Sequence, residues 1–512
     1  MLQLLNRLFK NDILKSSAGL LIITLSVKVF GYIEKLVLAN YFGTSYNVDA
    51  YTSVLTIVLS IFLLAREIIE PGFLNVFLDT KNKGNESVSW NLFNKGLRLI
   101  LIITVILSLM AFFFPEGFAK IFAPGFEGET LALTQKLIKI AVPACIFLAL
   151  STLTNITLNG LKIFALPASG ELVFKGMIIV CMVFFYKQYG IVGAAAGIVI
   201  GSVGRLLVHL TKLHKKISFR KIKIENNYKQ RIWQLTWPLL LGVGFSIASS
   251  LIDNVFGSYM QEGAIAALSY AKKVVELPVI IFPYVISIVV FPYFSQLAIE
   301  KQEGKLKDLL VDSLKWIVIA FLPVAAFFYI FSTPIVEIIF QRGAFNANST
   351  LLTSKPLMIY SIGMLFFAIE TILVIFYYAN ADTKTPVFIG MACVILNILL
   401  TWIFIQYIGY IGIALAFVIQ KVVKNLILLY LVRQKISYSM RNFWMFFSKA
   451  LLSFAVFIIL ISVGKSFMYD EFNQTLIGKM GFIASSFTIA GLVYLFILYW
   501  MGLISIKSTV RA

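Results

Sequence analysis

What most constrains this chain is a succession of about fourteen apolar stretches, each long enough to cross a bilayer. A hydrocarbon core of about 30 Å needs roughly 20 apolar residues at about 1.5 Å of helical rise each. The stretches cover 17–41, 49–78, 92–114, 133–160, 164–186, 190–213, 233–259, 266–298, 310–340, 350–379, 386–407, 410–433, 443–464 and 479–504. Of the 512 residues, 60% are hydrophobic and 13% charged, whereas a soluble globular domain carries about 25% charged residues. No water-soluble fold hides that much apolar surface. The predicted class is an all-α polytopic membrane protein with about fourteen transmembrane helices. Pro278, Pro283, Pro292, Pro323 and Pro334 interrupt two stretches, which is tolerated where neighbouring helices satisfy the freed carbonyls.

A net charge of +20 ordinarily invites a nucleic-acid reading. The placement of the charges argues otherwise. Alternate connections hold Arg7, Lys10 and Lys15, then Lys81, Lys83, Lys95 and Arg98, then Lys162. The same series continues through Lys301, Lys305 and Lys307, then Lys384, then Arg433, Lys435 and Arg441. The opposite connections hold few: Lys120, Lys187, Arg342, Lys465 and Lys479, with Lys136 and Lys139 near a helix entrance. By the positive-inside rule both termini are cytoplasmic. Between Lys212 and Arg231 stand eight basic residues and one acid, Glu225. The run is read as a topology determinant between two halves rather than a site for anionic lipid or nucleic acid, because no nucleic-acid motif accompanies it. The first apolar stretch is too long for a cleavable signal.

The chain also repeats itself. IVGAAAGIVIGSVGRLLVHLTKLHKK (191–216) aligns with YIGIALAFVIQKVVKNLILLYLVRQK (410–435), an offset of 219 that also pairs Pro167 with Pro386, Tyr51 with Tyr270 and Phe126 with Phe345. IFAPGF (121–126) meets IFQRGAF (339–345) with one residue inserted. An even number of spans separates equivalent points, so the repeat is parallel. The expected organisation is an N-lobe over 1–211, a basic linker over 212–231, a C-lobe over 232–435 and a helix pair over 436–512. Two six-helix lobes of this kind enclose a central cavity, and transporters expose such a site alternately to each side.

Ionisable groups at membrane depth usually face a cavity or a partner. The first span carries Lys28, Glu34 and Lys35, with the two lysines seven residues apart on one face. The second begins at Asp49 and ends with Arg66, Glu67 and Glu70; Arg66 and Glu70 are an i,i+4 pair able to neutralise itself. The eighth holds Lys272, Lys273 and Glu276. Lys28 and Lys273 have no local acid that clearly cancels them, and a cavity ringed by cations suits an anion such as a pyrophosphate. Asp253, with Asn397 and Thr401 one turn apart, offers an oxygen cage for a small cation; a hydrogen-bonded polar cluster between helices is at least as good a reading. Glu171 and Lys175 read as a structural i,i+4 pair, and Glu370 has no assigned role.

His209 and His214 make no metal-ligand constellation, and Cys145, Cys181 and Cys393 fall within spans, so neither zinc nor disulfides are expected. No phosphate-cradling glycine loop is present. No cofactor is expected, and transport would draw on a sodium or proton gradient or the membrane potential. The external loops are too short for a polytopic glycosyltransferase.

KVFGYIEKLVLANYFGTSYNVDAY (28–51), LLAREIIEPGF (63–73), FAPGF (122–126), SYAKKVVELP (269–278), RGAF (342–345) and YYANADTKTPV (377–387) resemble the MurJ (MviN) family of lipid II flippases. The resemblance runs from about residue 15 to residue 435, and fourteen spans is that family's count. The family belongs to the multidrug/oligosaccharidyl-lipid/polysaccharide exporter superfamily. The resemblance implies translocation of the undecaprenyl-pyrophosphate-linked peptidoglycan precursor across the cytoplasmic (inner) membrane for cell wall synthesis. It implies a pyrophosphate cavity at Lys28, at Glu34 with Lys35 beside it, at Ala65 or Arg66, and at Lys273, with Asp49 and Glu70 matching the family's acids. It further implies a sodium site at Asp253 and Asn397, where Thr401 replaces an expected carboxylate. The expected partners are lipid II and membrane lipids, with no nucleic acid, and the chain is expected to act as a monomer. The alternatives are a flippase for an O-antigen or capsule unit, and a multidrug/cation antiporter. The extra pair 443–504 and the lysines count against the antiporter.

Overall fold

A computed structural model describes residues 12–218, 226–236, 240–435, 440–472 and 475–503. Residues 219–225 of the basic run, and Arg7 and Lys10, lie outside the described residues. Among the described residues there is no strand. The helices are, in chain order, α1 (Asp12–Phe42), α2 (Tyr46–Asn82), α3 (Glu86–Phe113), α4 (Pro115–Phe122), α5 (Gly128–Ala141), α6 (Ala144–Gly160), α7 (Ala165–Tyr189), α8 (Ile191–Leu213) and α9 (Asn226–Thr236). They continue as α10 (Leu240–Gly257), α11 (Ala264–Ile299), α12 (Glu303–Ile330), α13 (Ser332–Phe340), α14 (Ala347–Ala379), α15 (Lys384–Ile408), α16 (Ile411–Lys435), α17 (Met440–Phe472) and α18 (Leu476–Trp500).

Ten of these helices are long and apolar enough to cross a membrane among the described residues, or eleven when the bent pair α5–α6 counts as one span. The stretches 17–41, 233–259 and 266–298 fall in α1, α10 and α11, whose side chains are described only in part. The exposed face of α3 is apolar, as lipid requires. Leu99, Ile102, Ile106, Met110 and Phe113 form a stripe along α3 at three- and four-residue spacing, every one about half exposed or more. The protein is a multi-pass membrane protein.

The helix limits carry the repeat. Helix α15 begins and ends 219 residues after α7, and α14 covers the same interval relative to α5–α6. Gly190 and Gly409, which close α7 and α15, both have positive φ, 55° and 59°, a backbone state that costs glycine little. One difference stands out. The expected span 133–160 is bent by 47° between α5 and α6, where Val142 and Pro143 interrupt the helix, whereas α14 is continuous and accommodates Pro356 inside it.

The chain falls into two compact units. Unit 1 comprises 1–266 together with 342–345. Its tightest packing joins α7 to α8: Gly193, Gly197 and Gly201 lie one turn apart, and an added Cβ at each would come within 2.8 Å of Phe185, 2.9 Å of Cys181 and 2.6 Å of Phe174. A second core gathers Phe73, Phe77, Leu92, Phe93, Leu153 and Leu213, and Tyr228 and Ile232 of α9 pack against it. Arg231 fixes α9 further by pairing with Asp79 at 2.6 Å. The Arg231 and Lys83 hydrogen bonds hold the Asp79 carboxyl below the usual carboxylate range.

Unit 2 comprises 267–341 and 346–512. Here α17 and α18 are tied to α12 and α13 by polar contacts as well as by rings. The Tyr494 hydroxyl donates to the Ile319 carbonyl at 3.1 Å. The Lys465 ammonium donates to the Ile330 carbonyl at 2.7 Å, and Lys479 pairs with Glu337. Phe487 packs on Phe327 and Phe457.

Candidate substrate-binding sites

In unit 1, Lys28 and Lys35 are half-buried on α1, and Glu34 between them is 1% exposed. Glu34 accepts the Lys175 ammonium of α7 at 2.8 Å. The expected pairing of Lys175 with Glu171 is therefore not formed. Glu171 instead meets Arg205 of α8 at 2.5 Å, and the Arg205 guanidinium also lies 4.9 Å from the Phe62 ring. Burial explains the exchange. An exposed i,i+4 pair is worth about 0.3–0.5 kcal/mol, while a buried ion stripped of its partner costs about 3–5 kcal/mol. Arg205 is 4% exposed and Glu34 1% exposed, so each commands the acid or base of the neighbouring helix.

At the end of α2, Arg66 and Glu70 do form the expected pair, at 3.2 Å, with both side chains about half exposed. Asp49, in the first turn of α2, is 4% exposed. Its two carboxylate oxygens accept the backbone N–H groups of Gly263 at 2.6 Å and Ala266 at 2.8 Å. These are donors at the start of α11, where a helix leaves its first N–H groups unsatisfied. Close by, Glu262 accepts the Tyr46 N–H at 2.8 Å, Ser258 accepts the Gly125 N–H at 2.9 Å, and the Ala344 N–H donates to Asn40 at 2.8 Å. This end of unit 1 is thus fastened by backbone contacts around one carboxylate.

In unit 2, Lys273 does have a local acid: it pairs with Glu276, three residues on, at 2.7 Å. The expectation that its charge lacked a nearby partner is corrected. Lys272 lies 4.4 Å from the Phe417 ring and 5.7 Å from the Tyr360 ring. Glu370, which the sequence left without a role, holds two cations of α16, Lys424 at 2.6 Å and Lys421 at 2.8 Å. Lys272, Glu276, Tyr360, Glu370, Phe417 and Lys421 all border a cavity of about 610 Å³ whose remaining wall is mostly aliphatic and aromatic. An apolar chamber with a few convergent charges is the usual form of a small-ligand site.

Of the proposed cation cage, Asn397 and Thr401 are buried on α15, with the Thr401 hydroxyl donating to Asn397 Oδ1 at 3.4 Å. Asp253 is half-buried on α10 and belongs to unit 1. Among the described residues no cluster of three or more His, Cys, Asp or Glu side chains could hold a metal. The Arg205–Glu171 and Glu370–Lys421–Lys424 groups escaped a reading of single helices because each joins charges on different spans.

The fold and the sequence both have known relatives. A solved structure described as lipid II flippase MurJ in an inward closed conformation superposes with a TM-score of 0.80 at 25% identity, covering 95% of this chain and 99% of that one. An inward-facing multidrug resistance MATE family transporter of the MOP superfamily shares the fold, with a TM-score of 0.70 at 15% identity, 81% of this chain and 98% of that one. The probable lipid II flippase MurJ of Buchnera aphidicola subsp. Schizaphis graminum is 26% identical over 505 residues, 96% of this chain and 97% of that one. The corresponding Vibrio cholerae protein is 25% identical over 426 residues, 80% of each chain. The family model described as lipid II flippase MurJ matches residues 38–500. By that match the chain belongs to the MurJ family of lipid II flippases.

Proposed function

We propose that this protein carries lipid II, a polyprenyl-pyrophosphate-linked glycan, from the cytoplasmic to the outer leaflet of the cytoplasmic membrane by alternating access. The observation that carries the reading is the set of lysines at membrane depth, Lys28 and Lys35 in unit 1 and Lys272 and Lys273 in unit 2, in a chain of this family. Ammonium groups in an apolar wall attract phosphate and repel cations. Arg66, Glu70, Asp49 and Glu276 complete the proposed binding groups, Glu70 setting the position of Arg66 and Glu276 that of Lys273. The two copies of the repeat, joined by the 212–231 linker, would rock to expose the headgroup, with both termini in the cytoplasm and a single chain as the working unit.

The Asn397 amide and Thr401 hydroxyl oxygens of unit 2 are donors of the kind that a hard cation such as sodium takes. A sodium gradient would then supply the driving force. The test is complementation of a bacterium depleted of its own lipid II flippase, with lipid II at the outer leaflet measured in parallel with and without sodium. Rescue by the wild-type chain and loss of rescue in the Lys28→Ala/Lys273→Ala double variant are expected. Full growth of the double variant at normal expression would overturn the assignment of these lysines.

A further inference from the structure

The internal repeat sets up an expectation that one residue breaks. At the offset of 219, Lys424 corresponds to Arg205, Phe417 to Ile198 and Lys421 to Ser202. In unit 1 this neighbourhood is closed, with one cation on one carboxylate, Arg205 on Glu171, and Ser202 donating its hydroxyl to the Val199 carbonyl at 2.6 Å. In unit 2 a single carboxylate holds two cations, and the second of them, Lys421, stands where unit 1 has serine. Lys421 also borders the cavity, where its ammonium lies 5.5 Å from the Phe417 ring that Lys272 approaches to 4.4 Å. Of the two cations on Glu370, Lys421 borders the chamber beside Lys272 and is within reach of an entering ligand. An ammonium in a largely apolar wall keeps a counter-anion, and an anion entering the cavity can take that place at Lys421.

We infer that Glu370 is a built-in counter-anion that the substrate's diphosphate displaces from Lys421, in the chamber beside Lys272. The inference rests on the lipid-diphosphate reading above and adds Lys421 as a binding residue and Glu370 with Lys424 as its positioning pair. Lys424 makes the exchange inexpensive, because Glu370 keeps one cation at 2.6 Å when Lys421 turns away. Lysine suits the moving role: it is a point charge on a flexible four-carbon stem, whereas arginine would hold Glu370 with a rigid fork. The exchange selects the ligand class, because a diphosphate offers Lys421 anionic oxygens in place of those of Glu370. A neutral polyprenol brings none.

The experiment uses the purified full-length protein in detergent, with farnesyl diphosphate as the probe and farnesol as the control, read by calorimetry alongside thermal melting. Lys421→Gln keeps the Glu370–Lys424 pair and should melt like the wild type while binding the diphosphate about tenfold more weakly. Lys424→Gln leaves Lys421 as the one remaining cation on Glu370 and should weaken binding comparably. Adding Glu370→Gln to Lys424→Gln should restore it, a reversal that a merely structural role would not produce. Unchanged affinity in Lys421→Gln, or no restoration in the double variant, overturns the exchange. Wild-type protein that binds the diphosphate no better than farnesol overturns the lipid-diphosphate reading itself and the exchange with it.

Discussion

The two units place a cation at the same point of the repeat and neutralise it from different helices. Arg205 finds its acid on α7, at Glu171, while Lys424 finds its acid on α14, at Glu370. The position equivalent to Glu171 in unit 2 is Gly390, whose added Cβ would come within 3.6 Å of the Lys424 ammonium. The position equivalent to Glu370 in unit 1 is Ser151, fully buried with no partner for its hydroxyl. The repeat thus conserves the cation's place but not the source of its counter-charge. Duplicated helices tolerate such a change because a buried cation needs some carboxylate in reach, and several neighbouring helices can supply one.

The comparison breaks most severely if the second cation is transplanted. Ser202→Lys puts a long ammonium at a position with no exposure, beside a Glu171 already engaged by Arg205. It should cost about 5 kcal/mol or more and abolish folded protein, as seen by monodisperse yield in detergent. The reciprocal Lys421→Ser should leave the melting temperature near that of the wild type. Next in size is Glu171→Gln, which strands Arg205 and should lower stability by about 3 kcal/mol. Combining it with Ser151→Glu copies the arrangement of unit 2 into unit 1 and should recover part of the loss in a melting assay. The smallest effect is expected of Arg205→Lys, which keeps the charge but loses the guanidinium fork and weakens the contact with Phe62. A cost of about 1 kcal/mol is expected, and a value as large as that of Glu171→Gln would mean that the fork, not the charge, holds α7 to α8.

The class of fold was legible because lipid imposes length and apolarity on every span, and the repeat was legible because Pro167, Tyr51 and Phe126 kept one common spacing to their counterparts. The break at Val142 and Pro143 was not, since Pro356 lies within a helix that stays whole. Whether a proline breaks a span depends on what its neighbours offer the freed carbonyl. Charge partners were the least legible feature. Spacing along one helix correctly joined Arg66 to Glu70 at the exposed end of α2, where nothing competes. It wrongly joined Glu171 to Lys175, where α1 and α8 each present a more deeply buried ion. Glu370 could have been matched from sequence only by noticing that Lys421 and Lys424 share one face of α16.

The fastening around Asp49 makes that carboxylate a reporter. While both its oxygens cap the start of α11, it is 4% exposed and sheltered from a water-soluble carbodiimide. It becomes reactive only in molecules whose cap has come apart, so its labelling rate counts openings at this end of the protein and needs no ligand to be seen. A residue that reads, in sequence, as one more charge for the substrate can therefore serve as a clock for the opening of this end of unit 1.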